Sequence, residues 1–141
     1  FLYVAVRARE APQIEYGDDA APRRHDADLS RFDRFELYLD LDRDWATYYR
    51  LAIDQRGFVA EDCWGDASWN PSWYVAAHRA EGAWHAEAAL PWEELAAEPP
   101  QPREAWAVGA QRILPGLGMQ SWTQPAAARP IPEGFGLLIF R

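Results

Sequence analysis

Apolar residues recur at every second position through several stretches of the chain, the signature of strands with one face buried. Leu2, Val4 and Val6 alternate within residues 1–9, and Phe35, Leu37 and Leu39 do so within 35–39. Tyr49, Leu51 and Ile53 continue the pattern beyond Asp40-Leu41-Asp42-Arg43-Asp44, which predicts a β-hairpin with an acidic turn. Further strands are expected at 58–62, 74–79, 83–90, 105–114 and 135–140, separated by Gly, Pro, Asn and Asp. One short helix is predicted near residues 91–97, because Pro91 suits a first helical position, Glu93 and Glu94 suit the first turn, and Pro99-Pro100 forbids continuation. Residues 10–34 are polar, turn-rich and aperiodic, which predicts a long loop. Many short strands without a strand–helix–strand rhythm point to an all-β fold, an antiparallel β-sandwich of jelly-roll or immunoglobulin-like type.

The pattern also names a core: Val4, Val6, Phe35, Leu37, Leu39, Leu51, Ile53, Trp84, Leu90, Val108, Leu138 and Phe140. With 141 residues the chain fits one domain, 1–141. It opens directly on a strand, with neither the basic start nor the cleavage motif of a secretory signal, which reads as a domain cut from a longer protein. Fourteen Lys and Arg against 22 Asp and Glu give a net charge of −8, the wrong sign for gripping nucleic acid or an anionic membrane surface. No apolar run reaches the ~20 residues of a membrane helix. The single Cys63 excludes an internal disulfide and any zinc site of paired thiolates.

Candidate chemistry is sparse. Asp40, Asp42 and Asp44 alternate like an oxygen-ligand calcium loop, but Trp45 stands where such a loop needs Gly and Leu51 where it needs Glu. A looser structural calcium site on these acids is the one cofactor expectation; otherwise no cofactor or metal is expected. His78 and His85 flank the Glu81-Gly82 turn and should be cross-strand neighbours on the face opposite Trp84, reading as solvent-exposed histidines. No nucleophile, phosphate loop or positioned carboxylate pair occurs, so no catalytic residue is expected.

Aromatic residues make up 14% of the chain and include eight Trp, more than a small core needs. Trp84 and Trp106 alternate within strands and read as core. Trp64, Trp69, Trp73 and Trp122 fall in loops beside Asn70, Ser72, Gln120 and Ser121, placing flat apolar faces next to hydrogen-bonding groups. Sugars need that mixture, stacking C–H bonds on a ring while hydroxyls are satisfied at the rim. The same rings also read as anchors that pin the loops.

The ordered segments Leu2–Val6, Phe35–Asp44 with Thr47-Tyr48-Tyr49, Trp69-Asn70-Pro71-Ser72-Trp73, Gly82–Trp92, Trp106–Arg112, Gln120-Ser121-Trp122 and Phe135–Phe140 resemble the family 9 carbohydrate-binding modules and their bacterial relatives. The resemblance implies a non-catalytic, DOMON-like β-sandwich appended to a secreted or surface polysaccharide-active protein. It maps the family's ligand-facing aromatics and strand-end arginine onto Trp69, Trp73, Trp122 and Arg112. With Gln111 as a further hydrogen-bond partner, these five residues are expected to line one concave sugar site. Family members carry a strand or two before the Leu2–Val6 segment, and the 10–34 loop is longer and more charged than their pattern. Two alternatives stand beside sugar binding. One is a haem-binding electron-transfer domain, as in some related sandwiches, using Met119 against His25, His78 or His85; the other is a structural sandwich without ligand.

Overall fold

The computed structural model describes residues 1–17 and 26–141. Nine strands follow the alternation in the sequence: β1 (Leu2–Arg9), β2 (Arg34–Asp40), β3 (Tyr49–Asp54), β4 (Val59–Cys63), β5 (Tyr74–Ala80), β6 (Ala83–Leu90), β7 (Ala105–Leu114), β8 (Gly118–Ser121) and β9 (Gly136–Ile139). They form two sheets in which every pairing is antiparallel. The smaller has the order β1-β6-β5; the larger runs β4-β3-β2-β7, with β8 and β9 both pairing with β7. The expected antiparallel β-sandwich is therefore the observed fold.

Period-two faces account for the packing between the sheets. Val4, Val6 and Ala8 from β1 meet Trp84, Ala86 and Ala88 from β6, together with Phe35, Ile53 and Val59 from the larger sheet. A second cluster joins Leu39, Leu51, Leu90, Trp106 and Val108 with Leu37, Leu138 and Phe140 packed around it. All twelve predicted core residues lie in these two clusters. Trp92 seats the turn after β6 by edge-on contacts with Trp106 at 5.8 Å and Phe140 at 5.9 Å.

Two local expectations change. The stretch 91–97 is a single 3₁₀ turn, Trp92–Glu94, in place of the expected helix. Between Pro91 and Pro99-Pro100 too few residues remain to repay helix nucleation. Gly118–Ser121, expected as connection, is strand β8, because Gln111 to Leu114 extend β7 far enough to pair with it. His78 and His85 are cross-strand partners as expected, stacked with ring centroids 4.7 Å apart.

The loop before β2 reaches back into the fold. Ala27 donates its N–H to the Val59 carbonyl, Leu29 is buried against Ala52 and Phe58, and Asp33 is fully buried. Asp33 accepts from Trp84 Nε1 at 2.9 Å, from Tyr16 Oη at 2.6 Å and from Arg112 Nε at 2.8 Å, with the Arg112 Nη2 also on it. Arg112 in turn donates to the Arg9 carbonyl. One carboxylate thus ties both sheets to both ends of the loop. His25, one of the three histidines weighed as a haem ligand, lies outside the described residues.

Candidate functional site

The outward face of the larger sheet is not the open polar surface that alternation suggests. On β2 the residues between the core positions are Arg34, Glu36, Tyr38 and Asp40, and the last three are buried. The chain after β8 folds back over them: Phe135 packs on Tyr38 and Tyr48 with ring centroids 6.0 and 5.8 Å apart, and Tyr38 meets Tyr48 edge-on at 5.6 Å. Gly109 makes this roof possible. A Cβ there would lie 2.7 Å from the Phe135 ring, so only glycine lets the ring settle onto β7.

Register then aligns charge across the strands. Arg50 on β3 pairs in register with Tyr38 on β2 and Asp62 on β4, and Glu36 pairs with Gln111 on β7. Same-row side chains stand on one face about 5 Å apart, so these groups meet. Arg50 Nε donates to Asp62 Oδ2 at 2.5 Å and its Nη1 lies 3.6 Å from Glu36. Arg34 Nε donates to Glu36 at 2.8 Å, and Tyr38 Oη also donates to Glu36. Gln111 Nε2 reaches Glu36 at 3.0 Å and Tyr38 Oη at 2.9 Å. The result is a concavity of about 390 Å³ with Arg34, Glu36, Tyr38, Tyr48, Arg50 and Asp62 around it, Gly65 on one rim and residues 128–130 on another.

The electrostatics hold this arrangement in its ionised form. Burial alone would raise the Glu36 carboxyl, but hydrogen bonds from Tyr38, Arg34 and Gln111 outweigh it and keep the group below the ordinary carboxylate range. Burial and the Glu36 charge together push the Tyr38 phenol far up, so it is a neutral donor. A carboxyl lowered in the fold contributes stability that is fully present above its unfolded value and lost as pH falls through its folded one. The melting temperature should therefore drop as pH goes below about 4, and Glu36→Gln should flatten that part of the profile; an unchanged slope would show that Glu36 is not the group responsible.

The five residues expected to line one sugar site do not converge. Arg112 lies on the core side of β7, 11% exposed, bound to Asp33. Trp73 packs between the two core clusters and donates Nε1 to Glu61 at 2.8 Å. Trp69 is half-buried on Tyr49, with ring centroids 4.6 Å apart, and packs on the core as well. Trp122 is 60% exposed, but its ring lies over Gly136, whose register partner Val108 points into the sandwich, so it occupies the face away from the concavity. Gln111 alone belongs to the outer face, where it braces Glu36 and Tyr38. Trp69 and Trp73 thus pin their loop to the edge of the core, which is one of the two roles the sequence left open for them. The polar concavity was missed, although Arg34, Glu36, Arg50 and Asp62 at alternate positions of three neighbouring strands form a visible row of charge.

Asp40, Asp42 and Asp44 bring one carboxylate oxygen each to within 4.8 Å of one another. Turn geometry accounts for the cluster: Asp40 accepts from the Arg43 and Trp45 amides, Asp42 from the Asp44 amide, and Asp44 from the Ala46 and Thr47 amides. These bonds explain the acids without an ion, so the calcium expectation gains no metal assignment. For the haem alternative, Met119 belongs to β8 of the larger sheet whereas His78 and His85 sit on the outer face of the smaller one, so neither described histidine faces it.

No family model matches the sequence, and neither does any curated protein. Solved structures do match the fold. A family 9 carbohydrate-binding module from Caldicellulosiruptor kristjanssonii, solved with glucose, aligns over 99% of this chain and 70% of its own at TM-score 0.68 and 14% identity. The same description with cellotriose gives 0.62 and 16%, covering 99% and 68%. A protein from Bacteroides uniformis described as a candidate carbohydrate-binding protein gives 0.64 and 14%, covering 99% and 71%. The chain has the fold of the family 9 carbohydrate-binding modules.

Proposed function

We propose that this domain is a non-catalytic carbohydrate-binding module whose ligand, a mono- or oligosaccharide end, enters the concavity over β2, β3 and β4. The observation that carries the proposal is the row of ordered charged groups around Tyr38 and Tyr48. Glu36, Arg50 and Asp62 are fixed by their own ion pairs, so their remaining donors and acceptors point in set directions, as a rim of sugar hydroxyls requires. A volume of about 390 Å³ suits one or two sugar rings. Likeness to modules solved with glucose and cellotriose supports the same class of ligand. Such modules serve a larger protein, and we extend that to this one: a domain linked to other domains of an extracellular or surface protein. Among the described residues no helix is long and apolar enough to cross a membrane.

The test is titration of the domain with glucose, cello-oligosaccharides and xylo-oligosaccharides, followed by amide chemical shifts. Binding in the micromolar to millimolar range is expected, since water competes for every hydroxyl. Arg50→Ala should weaken it by roughly tenfold or more, because losing that guanidinium frees both Asp62 and Glu36 from their set positions. Loss of binding in Trp122→Ala with full binding in Arg50→Ala would move the site to the opposite face and overturn the assignment.

A further inference from the structure

We propose that the concavity is built for a sugar that carries a carboxylate, a uronic acid, with Arg129 as its specificity-determining group. The proposal rests on the concavity being the sugar site and names what that site selects. The chain as a whole is acidic, at −8, yet the concavity inverts that balance. Arg34, Arg50 and Arg129 stand against Glu36 and Asp62, leaving one positive charge in excess. Those two carboxylates are already engaged: Glu36 takes Arg34 and Arg50, while Asp62 takes Arg50 on one oxygen and the Gly65 amide on the other. Arg129 is the group left over. Its one hydrogen bond among the described residues runs to Tyr48 Oη at 3.5 Å, at the edge of what counts as a bond, and the Asp62 charge acts on it only from a distance, without an ion pair.

Its position is held rather than floppy at the backbone. Pro130 beside it is buried, and the Ala128 carbonyl on its other side accepts from Gln111 Nε2 at 3.4 Å. The side chain is exposed, so a guanidinium is presented at the rim from an anchored support. A planar guanidinium matches a carboxylate through two parallel N–H···O bonds, whereas a hydroxyl takes one. A neutral pyranose would meet the engaged groups below and leave Arg129 to water. A uronic acid would meet the same groups and pair its carboxylate with Arg129. A sulfate ester offers the same charge without the planar fork.

The experiment compares four ligands on the intact chain at neutral pH: glucose, glucuronate, the methyl ester of glucuronic acid and glucose 6-sulfate. Glucuronate should bind roughly threefold to tenfold more tightly than glucose or the ester, the size expected of one partly exposed charge pair. Arg129→Gln should bring the ratio of glucuronate to glucose affinity close to one without lowering the melting temperature, and Arg129→Lys should keep part of it. Equal affinity for glucose and glucuronate, or a ratio that Arg129→Gln leaves unchanged, overturns the inference while the concavity remains a sugar site. Tighter binding of the sulfate than of glucuronate overturns the carboxylate assignment. If none of the four binds, the sugar site falls together with its specificity.

Discussion

Asp33→Ala should cost about 3–5 kcal/mol of stability, because it strips the partner from a guanidinium that is itself almost wholly buried. Arg112 would keep the Arg9 carbonyl and its contact with Tyr16 but no carboxylate, and Trp84 Nε1 and Tyr16 Oη would lose their acceptor. An orphaned buried donor carries its full desolvation cost, which an intact bond never returns in kind. For a chain of this size the expected fall in melting temperature is roughly 10–20 °C. Asp33→Asn should lose less, since an amide oxygen still serves one donor. Equilibrium denaturation of both variants measures it; a loss under about 1 kcal/mol for the alanine would mean that Arg112 finds water or another carboxylate.

Trp84→Ala should cost a similar 3–5 kcal/mol by a different route. The indole is fully buried at the centre of the cluster that joins the two sheets, and its neighbours Ala8, Ala86 and Ala88 have no side-chain length with which to fill the space. Small neighbours make a cavity that cannot collapse. Trp84→Phe separates packing from the hydrogen bond: it keeps most of the ring and loses only the donor to Asp33. Because Asp33 and Trp84 share that bond, the losses in Asp33→Ala/Trp84→Phe should sum to less than the two single losses. Strict additivity would show that the contact contributes nothing to stability.

These two sites mark where sequence reading succeeds and where it stops. Trp84 was legible because its strand alternates cleanly, so burial follows from register alone. The side of β2 carrying Glu36, Tyr38 and Asp40 obeys the same alternation, which assigns those residues to the outer face and goes no further. A segment more than eighty positions later folds over them, and nothing local announces that return. Arg112 entered through the family resemblance, and what its side chain binds was not legible locally, because its buried partner Asp33 lies 79 residues away. The loop tryptophans were correctly placed outside the strands, yet Trp73 and Trp69 bury their faces against the core that their own loop closes. Spacing tells which face a strand residue occupies; it does not tell what covers that face.

The Asp33 junction also decides what holds the chain between the first two strands. Tyr16 is fastened to Asp33, and Ala27 to Val59, so both anchors are furnished by the sandwich itself. A substitution at Asp33 therefore acts twice: it removes a partner shared by the two sheets, and it lets go of Tyr16 as well.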